Sequence, residues 1–137
     1  MRWLRHALRQ TPKGWQVLVC SHVPPLAKIH VWSDTILNGD AVMEALASFD
    51  QRRKGGVLAY LHGHNHADQV IWDYRFPIVG IGCEKYEYFQ EKKPKGSVTP
   101  ARMRNDASQE LWDVLVAKPR THRLEFVRFG AGESRSL

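Results

Sequence analysis

The pattern of apolar and polar residues follows a helical spacing in some stretches and a strand-like one in others. Residues 2–11 carry apolar side chains at helical spacing and are followed by Pro12, which predicts a short amphipathic helix. Residues 15–21 are rich in apolar and β-branched side chains, the pattern of a buried strand. Pro24 and Pro25 then force an extended loop. The first two predicted elements are therefore a helix and a buried strand.

The same order, helix and then strand, recurs in the middle of the chain. A helix is predicted to begin at Asn38 or Asp40, either of which would cap it, and to run to about Arg53. A pair of glycines ends it, and residues 57–61 predict a second buried strand. Strand, helix and strand in succession predict a βαβ unit with a right-handed crossover. Its two strands would then be parallel.

From residue 69 onward the pattern predicts strands alone. Strands at 69–74 and 77–82 follow each other in hairpin-like order, and a long polar loop is predicted from 84 to 108. Residues 111–118 and 123–129 predict a terminal β-hairpin. The whole pattern predicts one domain of the α/β class, with a mixed sheet layered against helices.

Two further expectations concern the end of the chain. Trp112 alternates with Leu111, Val114 and Val116, which predicts that these side chains belong to the core of the hairpin. Residues 130–137 are predicted to be frayed.

Composition and charge indicate a basic protein that is not bound to a membrane, but they do not identify its binding partner. The 20 Lys and Arg residues exceed the 14 Asp and Glu residues, so the formal net charge is +6 and suits an anionic partner. The charges are spread along the chain, so a nucleic acid is possible but not indicated. No apolar run approaches the roughly 20 residues of a membrane span. With no signal peptide and two buried, reduced cysteines expected, we predict a cytoplasmic protein that is not bound to a membrane.

The candidate chemistry lies in histidines that follow two predicted strands. His62, His64 and His66 fall within five consecutive positions directly after the second buried strand, and His22 directly follows the first. If the two strands are parallel neighbours about 5 Å apart, both groups converge on one edge of the sheet. Convergent neutral imidazoles suit a divalent Zn, Mn or Fe ion, and protons compete with that ion as the pH falls. The sequence therefore predicts a metal site at this edge.

Two segments resemble the last two motifs of the calcineurin-like metallophosphoesterases: Ser21-His22-Val23-Pro24-Pro25 and Gly63-His64-Asn65-His66. The resemblance implies that His22 and His64 bind one metal ion and that His66 binds its neighbour. It also implies a fold like half of the family's αββα sandwich, and metal-assisted hydrolysis of a phosphoester substrate whose class the sequence does not specify.

The family's DxH and GNH motifs are absent from the 137 residues, and the Gly39-Asp40 pair does not match the GD motif, because it follows the Ser21–Pro25 segment instead of preceding it. These motifs supply the remaining ligands, including the aspartate that bridges the two ions. Two dications roughly 3.5–4 Å apart need bridging anions. We therefore expect the chain to resemble the C-terminal half of the domain, to bind at most one ion, and to show little or no hydrolysis unaided.

Residues beside the histidine cluster are weaker candidates. Asn65 and Asp68 are expected either to orient imidazoles as partners of the metal ligands or to serve only in turns. His62 is expected to be structural. The remaining histidines lack a companion histidine or cysteine at ligand spacing and are expected to have no metal role: His6, His30 and His122.

Two other classes of histidine-rich hydrolase do not match these residues. A histidine-triad hydrolase places apolar residues between its histidines, whereas here they are Gly63 and Asn65; a metallo-β-lactamase-like site needs an Asp-His pair, but Asp68 precedes Gln69. Two readings stay open. One is a non-catalytic remnant or accessory module that self-associates or pairs with a missing N-terminal half. The other is a basic nucleic-acid-binding protein.

Overall fold

In the part of the chain that the structure describes, two α-helices, a four-stranded sheet and a three-stranded sheet lie in successive layers. The structure is a computed structural model, and it describes residues 1–30, 35–83 and 94–137. In chain order the helices and strands are α1 (Arg2–Gln10), β1 (Val17–Ser21), α2 (Gly39–Arg53), β2 (Val57–His62), β3 (Gln69–Ile71), β4 (Ile78–Gly80), β5 (Leu111–Lys118), β6 (Arg123–Gly130) and β7 (Arg135–Ser136). The α/β class predicted from the sequence is confirmed.

The first sheet is mixed and has the order β1-β2-β4-β3. Strands β1 and β2 pair in parallel, as do β2 and β4, whereas β3 and β4 are antiparallel. The central strand β2 is buried along its whole length, as its unbroken apolar run predicts. In the register of β1 and β2, Ser21 is the partner of His62. The last residues of both strands therefore lie side by side.

The helices cover one face of this sheet. Helix α2 buries Met43, Leu46 and Phe49, and α1 contributes Leu8. These side chains form one core cluster with apolar residues of the sheet and of its loops: Ile29, Val57, Tyr60, Phe76 and Ile78. The apolar residues that recur at helical spacing in α2 are thus buried against the sheet, as the sequence predicts.

The second sheet packs on the other face. Strands β5, β6 and β7 follow one another as antiparallel neighbours. Leu124 and Phe126 of β6 pack against Leu58, Leu61 and Val79 of the first sheet. The predicted hairpin is therefore present, but it starts a separate sheet that closes a second core.

Two expectations about the end of the chain were wrong. Residues 130–137 are not frayed, since Arg135 and Ser136 pair with β6 and Leu137 exchanges two backbone hydrogen bonds with Leu124. Trp112 is 44% exposed and, unlike Leu111, lies on the outer face of the hairpin. Further apolar side chains are exposed on these strands: Val114, Val116, Val127 and Phe129. Alternation fixes which residues share a face but not which face is covered.

The predicted loop 84–108 is only partly described, because residues 84–93 lie outside the described ranges. In its described part, Val98 forms a single bridge with Asp68, and a short 3₁₀ turn spans Ala107–Gln109. Among the helices of the described residues, none has both the length and the apolar character needed to cross a membrane.

Candidate metal-binding site

The candidate site lies where β1 and β2 end. His22 is the first residue after β1, and the turn that contains His64 begins directly after β2. The backbone N–H of Gly63 donates a hydrogen bond of 3.1 Å to the carbonyl oxygen of His22. This bond extends the parallel pairing one step beyond the strands and holds the two histidine segments together.

The imidazoles of His22 and His64 are in direct contact. Nδ1 of His64 lies 3.3 Å from Nε2 of His22, and the ring centroids are 5.1 Å apart in an edge-on arrangement. Two nitrogens bound to one tetrahedral zinc ion at about 2.0–2.1 Å lie roughly 3.3 Å from each other. The two donor atoms are therefore already at the separation that a shared metal ion requires.

A third imidazole, which the sequence did not single out, adjoins this pair. The ring of His30 lies 4.7 Å from the ring of His64, centroid to centroid. His30 has no companion histidine at ligand spacing along the sequence, but the fold brings its ring beside that of His64. Eight positions separate it from His22, and the 3₁₀ turn Ala27–Ile29 brings the chain back to the cluster. The spacing along the sequence carries no sign of this return.

Two of the cluster histidines have a left-handed backbone. His64 has φ of 64° and His66 has φ of 52°, a conformation that costs a non-glycine residue about 1 kcal/mol or more. The tight turn also contains a 2.7 Å hydrogen bond from the Asn65 N–H to the Gly63 carbonyl. The strained backbone of this turn fixes the positions from which the His64 and His66 side chains extend.

The environment keeps His64 neutral. Burial lowers the pKa of His64 below its usual 6.5, and the neighbouring imidazoles of His30, His22 and His66 lower it further. A neutral imidazole has the lone pair that a metal ion needs. His66 is thus close enough to His64 to affect its charge.

His62 has a different setting, as expected. It is almost fully buried at the end of β2, and burial lowers its pKa below 6.5. Its Nδ1 lies 3.0 Å from the Gly63 carbonyl oxygen, to which the neutral ring donates. His62 therefore supports the start of the turn.

Asn65 connects the turn to the segment that carries His30. Its side chain is 2% exposed, and its Nδ2 donates a hydrogen bond to the carbonyl oxygen of Ile29, the residue before His30. Asn65 was a candidate for orienting imidazoles. Its contact is with the backbone, so it would act on His30 by fixing the position of the chain.

Asp68 makes its hydrogen bonds and ion pairs to residues outside the histidine cluster, and two of these partners lie on the second sheet. Its carboxylate accepts hydrogen bonds from Arg128 at 2.9 and 3.0 Å and from the Gly82 N–H at 3.0 Å. Arg135 lies 3.1 Å from the same carboxylate. These partners give Asp68 a structural function in the interface between the sheets.

Ser21 and Tyr60 fix the start of the His22 loop, and the sequence pattern did not identify Tyr60. The Tyr60 hydroxyl donates to the Ser21 hydroxyl at 2.9 Å, and that hydroxyl donates to the Val23 carbonyl at 2.6 Å. Burial raises the pKa of Tyr60, so it remains a donor at neutral pH. The Ser21 side chain thus stabilises the turn after β1. The chain then continues to Pro24 and Pro25, which are both buried.

The donor set suits a transition metal, although the described residues do not form a complete set of ligands. Within 1–30, 35–83 and 94–137, no three His, Cys, Asp or Glu side chains stand together as a ready metal-binding group. His22 and His64 have the spacing of two ligands, with His30 and His66 beside them. Imidazole donors fit Zn, Mn or Fe.

Comparisons with known proteins leave the chain without a family assignment. No protein-family model matches it, and no curated protein matches it either.

Proposed function

We propose that this chain is the metal-binding portion of a calcineurin-like phosphoesterase and that it holds one divalent Zn, Mn or Fe ion through His22 and His64. The observation that carries the proposal is the 3.3 Å separation of Nε2 of His22 and Nδ1 of His64 at the ends of adjacent parallel strands. The two motifs that resemble the family supply exactly one histidine each to this pair. His66 is assigned to the neighbouring ion of a complete site.

Each residue of the site has a defined task. His22 and His64 bind the ion, and Ser21 and the Gly63 N–H fix the two segments that carry them. The ring of His30 lies beside that of His64, and Asn65 anchors the segment that carries His30. When bound, the metal ion acts as a Lewis acid on a phosphoryl oxygen. Among the described residues, no aspartate is grouped with these histidines to bridge two ions, so we expect little or no hydrolysis by this chain alone.

Isothermal titration calorimetry tests the proposal. Zn²⁺ or Mn²⁺ titrated into the chain is expected to bind at one site, and inorganic phosphate is then expected to bind only to the metal-loaded chain. His64→Ala is expected to abolish both heats. His6→Ala is the matched control, because His6 is an exposed histidine on α1.

Two tight sites in the chain alone would contradict the proposal, because the bridging carboxylate would then be dispensable. Unchanged metal binding in the His64→Ala variant would contradict it as well, since the ion would have other ligands. If the chain binds the metal ion but the metal-loaded chain does not bind phosphate, the metal site stands and the phosphoesterase proposal is contradicted.

A second candidate function is supported by the outer face of the C-terminal sheet. Trp112 and Phe129 lie there with ring centroids 5.1 Å apart, beside the exposed side chains of Val114 and Val127. A contiguous apolar face suits a binding partner, a second copy of the chain or a missing half of the domain. Light scattering after gel filtration tests this alternative: a monomer at all concentrations that binds no apolar dye would contradict it.

The proposal includes a cytoplasmic location. Cys20 is exposed and Cys83 is half-buried, so the expectation of two buried cysteines was wrong, but both are free thiols, as suits a reducing compartment. A periplasmic or secreted location, shown by fractionation of cells that express the chain, would contradict it.

A further inference from the structure

A basic cleft lies at the end of the first sheet opposite the histidine cluster. It has a volume of about 750 Å³ and is lined by three segments: residues 13–16 before β1, residues 52–56 after α2, and the turn between β5 and β6. Strand β1 begins directly after the first segment and ends directly before His22. Its five residues span roughly 16 Å, so the cleft is separate from the proposed metal site.

The charges of the cleft have one sign. Its lining includes Lys13, Arg52, Lys54 and Arg120, but no aspartate or glutamate. In the described part of the chain, none of these four side chains forms an ion pair with a carboxylate. Basic residues that are scattered along the sequence are thus gathered by the fold around one opening. Such an arrangement attracts a polyanion.

One basic residue of the lining has a structural task instead. Arg53 donates to the Thr11 carbonyl oxygen at 2.8 Å and lies 5.5 Å from the centroid of the Phe49 ring. It therefore fixes the loop after α1 against α2, and the four cations named above are those available to a ligand.

The cleft also presents an exposed aromatic ring. Trp15 lines it and is 67% exposed, although a tryptophan gains several kcal/mol from burial. An aromatic ring beside cations is the combination by which proteins bind single-stranded nucleic acids, whose bases stack on the ring while phosphates contact the cations.

Specific contacts join the three segments that line the cleft. Gln16 Nε2 donates to the Gly55 carbonyl at 2.8 Å and lies 2.7 Å from Nδ1 of His122. The His122 ring packs so closely on Gly55 that a Cβ there would lie 2.5 Å from its Cε1 atom. Gly55 has φ of 100°, which favours glycine as well. These contacts hold all three lining segments in one arrangement.

We propose that this cleft binds single-stranded nucleic acid, with a base stacked on Trp15 and the phosphate backbone on Lys13, Arg52, Lys54 and Arg120. Double-stranded nucleic acid is disfavoured because its bases are already stacked and not available to the ring. The site is independent of the metal ion.

Fluorescence anisotropy with a labelled thymidine oligonucleotide of about 12 nucleotides tests the proposal. The wild-type chain is expected to bind it, with an affinity that falls as salt rises. Trp15→Ala is expected to weaken binding at least fivefold, the lower end of what one stacked base contributes. Arg52→Gln is expected to weaken binding and to reduce the slope of log K against log salt by about 0.7.

Matched variants outside the cleft control for loss of an aromatic ring or of a charge. Trp3→Ala removes a tryptophan that is 78% exposed on α1, and Arg104→Gln removes an exposed arginine. Both are expected to bind like the wild type. His64→Ala is also expected to bind the oligonucleotide normally, so a failure of the metal proposal leaves this one standing.

Three results would overturn the proposal. One is the absence of oligonucleotide binding by the folded wild-type chain at low salt. Another is an equal loss of affinity in the control variants. The third is unchanged affinity in Trp15→Ala together with equally tight binding of heparin, a polyanion without bases, because the cleft would then respond to charge alone.

Discussion

Nδ1 of His64 lies 3.3 Å from Nε2 of His22, although 42 positions separate the two residues in the sequence. Their contact follows from the parallel pairing of β1 and β2, in which Ser21 and His62 are register partners. The Gly63 N–H then bonds to the His22 carbonyl and brings both rings to the same edge. A short motif after each strand is thereby sufficient to build a pair of donor atoms.

The first prediction separates the effects of His30 and His66 on metal affinity. His30→Ala is expected to weaken the binding of one Zn²⁺ ion by about 10- to 100-fold, because its ring adjoins that of His64. His66→Ala is expected to weaken it less, because His66 is assigned to a second ion that this chain alone does not hold. Competition with a chromophoric chelator measures both affinities. A larger loss of Zn²⁺ affinity in His66→Ala than in His30→Ala would contradict this prediction. It would show that the metal site uses the histidines of the family's motifs and not His30.

A second prediction concerns the anchor of the His30 segment. Asn65→Ala removes the hydrogen bond to the Ile29 carbonyl and leaves a buried acceptor without its donor. We expect a loss of about 1–3 kcal/mol in the free energy of unfolding. Urea denaturation of the metal-free chain measures it, with Gln51→Ala, at an exposed position of α2, as the control. A loss of metal affinity with unchanged stability would instead indicate a direct contact of Asn65 with the ion.

The third prediction is a dependence of stability on pH. Burial lowers the pKa of His62 below 6.5 in the folded chain, whereas the unfolded chain retains about 6.5. As the pH falls through 6.5, the unfolded state takes up a proton that the folded state does not, so stability falls until the lower folded pKa is reached. His62→Gln is expected to have a smaller dependence.

Urea denaturation at pH 7.5 and 5.5, with a chelator present, measures this effect. Stability that rises as the pH falls over this interval would contradict the assignment of a buried neutral His62. An identical pH dependence in His62→Gln would assign the effect to other groups.

The fourth prediction concerns the ion network that joins the two sheets. The Arg128 side chain is 2% exposed and pairs with Asp68 and with Asp113, which is 4% exposed. Burial alone lowers the pKa of Arg128, but its hydrogen bonds to Asp113 and Asp68 raise it above the ordinary value, so the charge is kept. Arg128→Met leaves two carboxylates without their main partner, and we expect a loss of about 3–5 kcal/mol.

Arg123→Met is the control for this network. Arg123 is an exposed arginine that pairs with Glu125 at 3.2 Å, and its loss is expected to cost less than about 1 kcal/mol. Chemical denaturation of both variants gives the comparison. Equal costs would show that the buried network does not hold the sheets together.

The elements of the fold were largely predictable because their patterns are local. The helix over Gly39–Arg53 and the strands Val57–His62 and Leu111–Lys118 agree with the predicted positions to within about a residue. Strands β3 and β4 are shorter than predicted, at three residues each. Apolar spacing reports which residues prefer burial, but the ends of short strands depend on which backbone groups find partners.

The relationships between distant segments were harder to predict. The sequence predicted a βαβ unit with parallel strands, and the parallel pairing of the strands that precede His22 and His64 is confirmed. His30 was missed because its approach depends on the turn after Pro25 and on the Asn65 side chain, neither of which has a periodic signal. The basic cleft was missed for a similar reason, since Lys13, Arg52 and Arg120 meet only in the folded chain.

X-ray absorption spectroscopy of the Zn²⁺-loaded chain identifies the atoms that bind the ion. We expect nitrogen ligands at about 2.0–2.1 Å, with the multiple-scattering signature of at least two imidazoles, which His22→Ala and His64→Ala each reduce. A spectrum without imidazole ligands, or one that the double variant of His22 and His64 leaves unchanged, would contradict it.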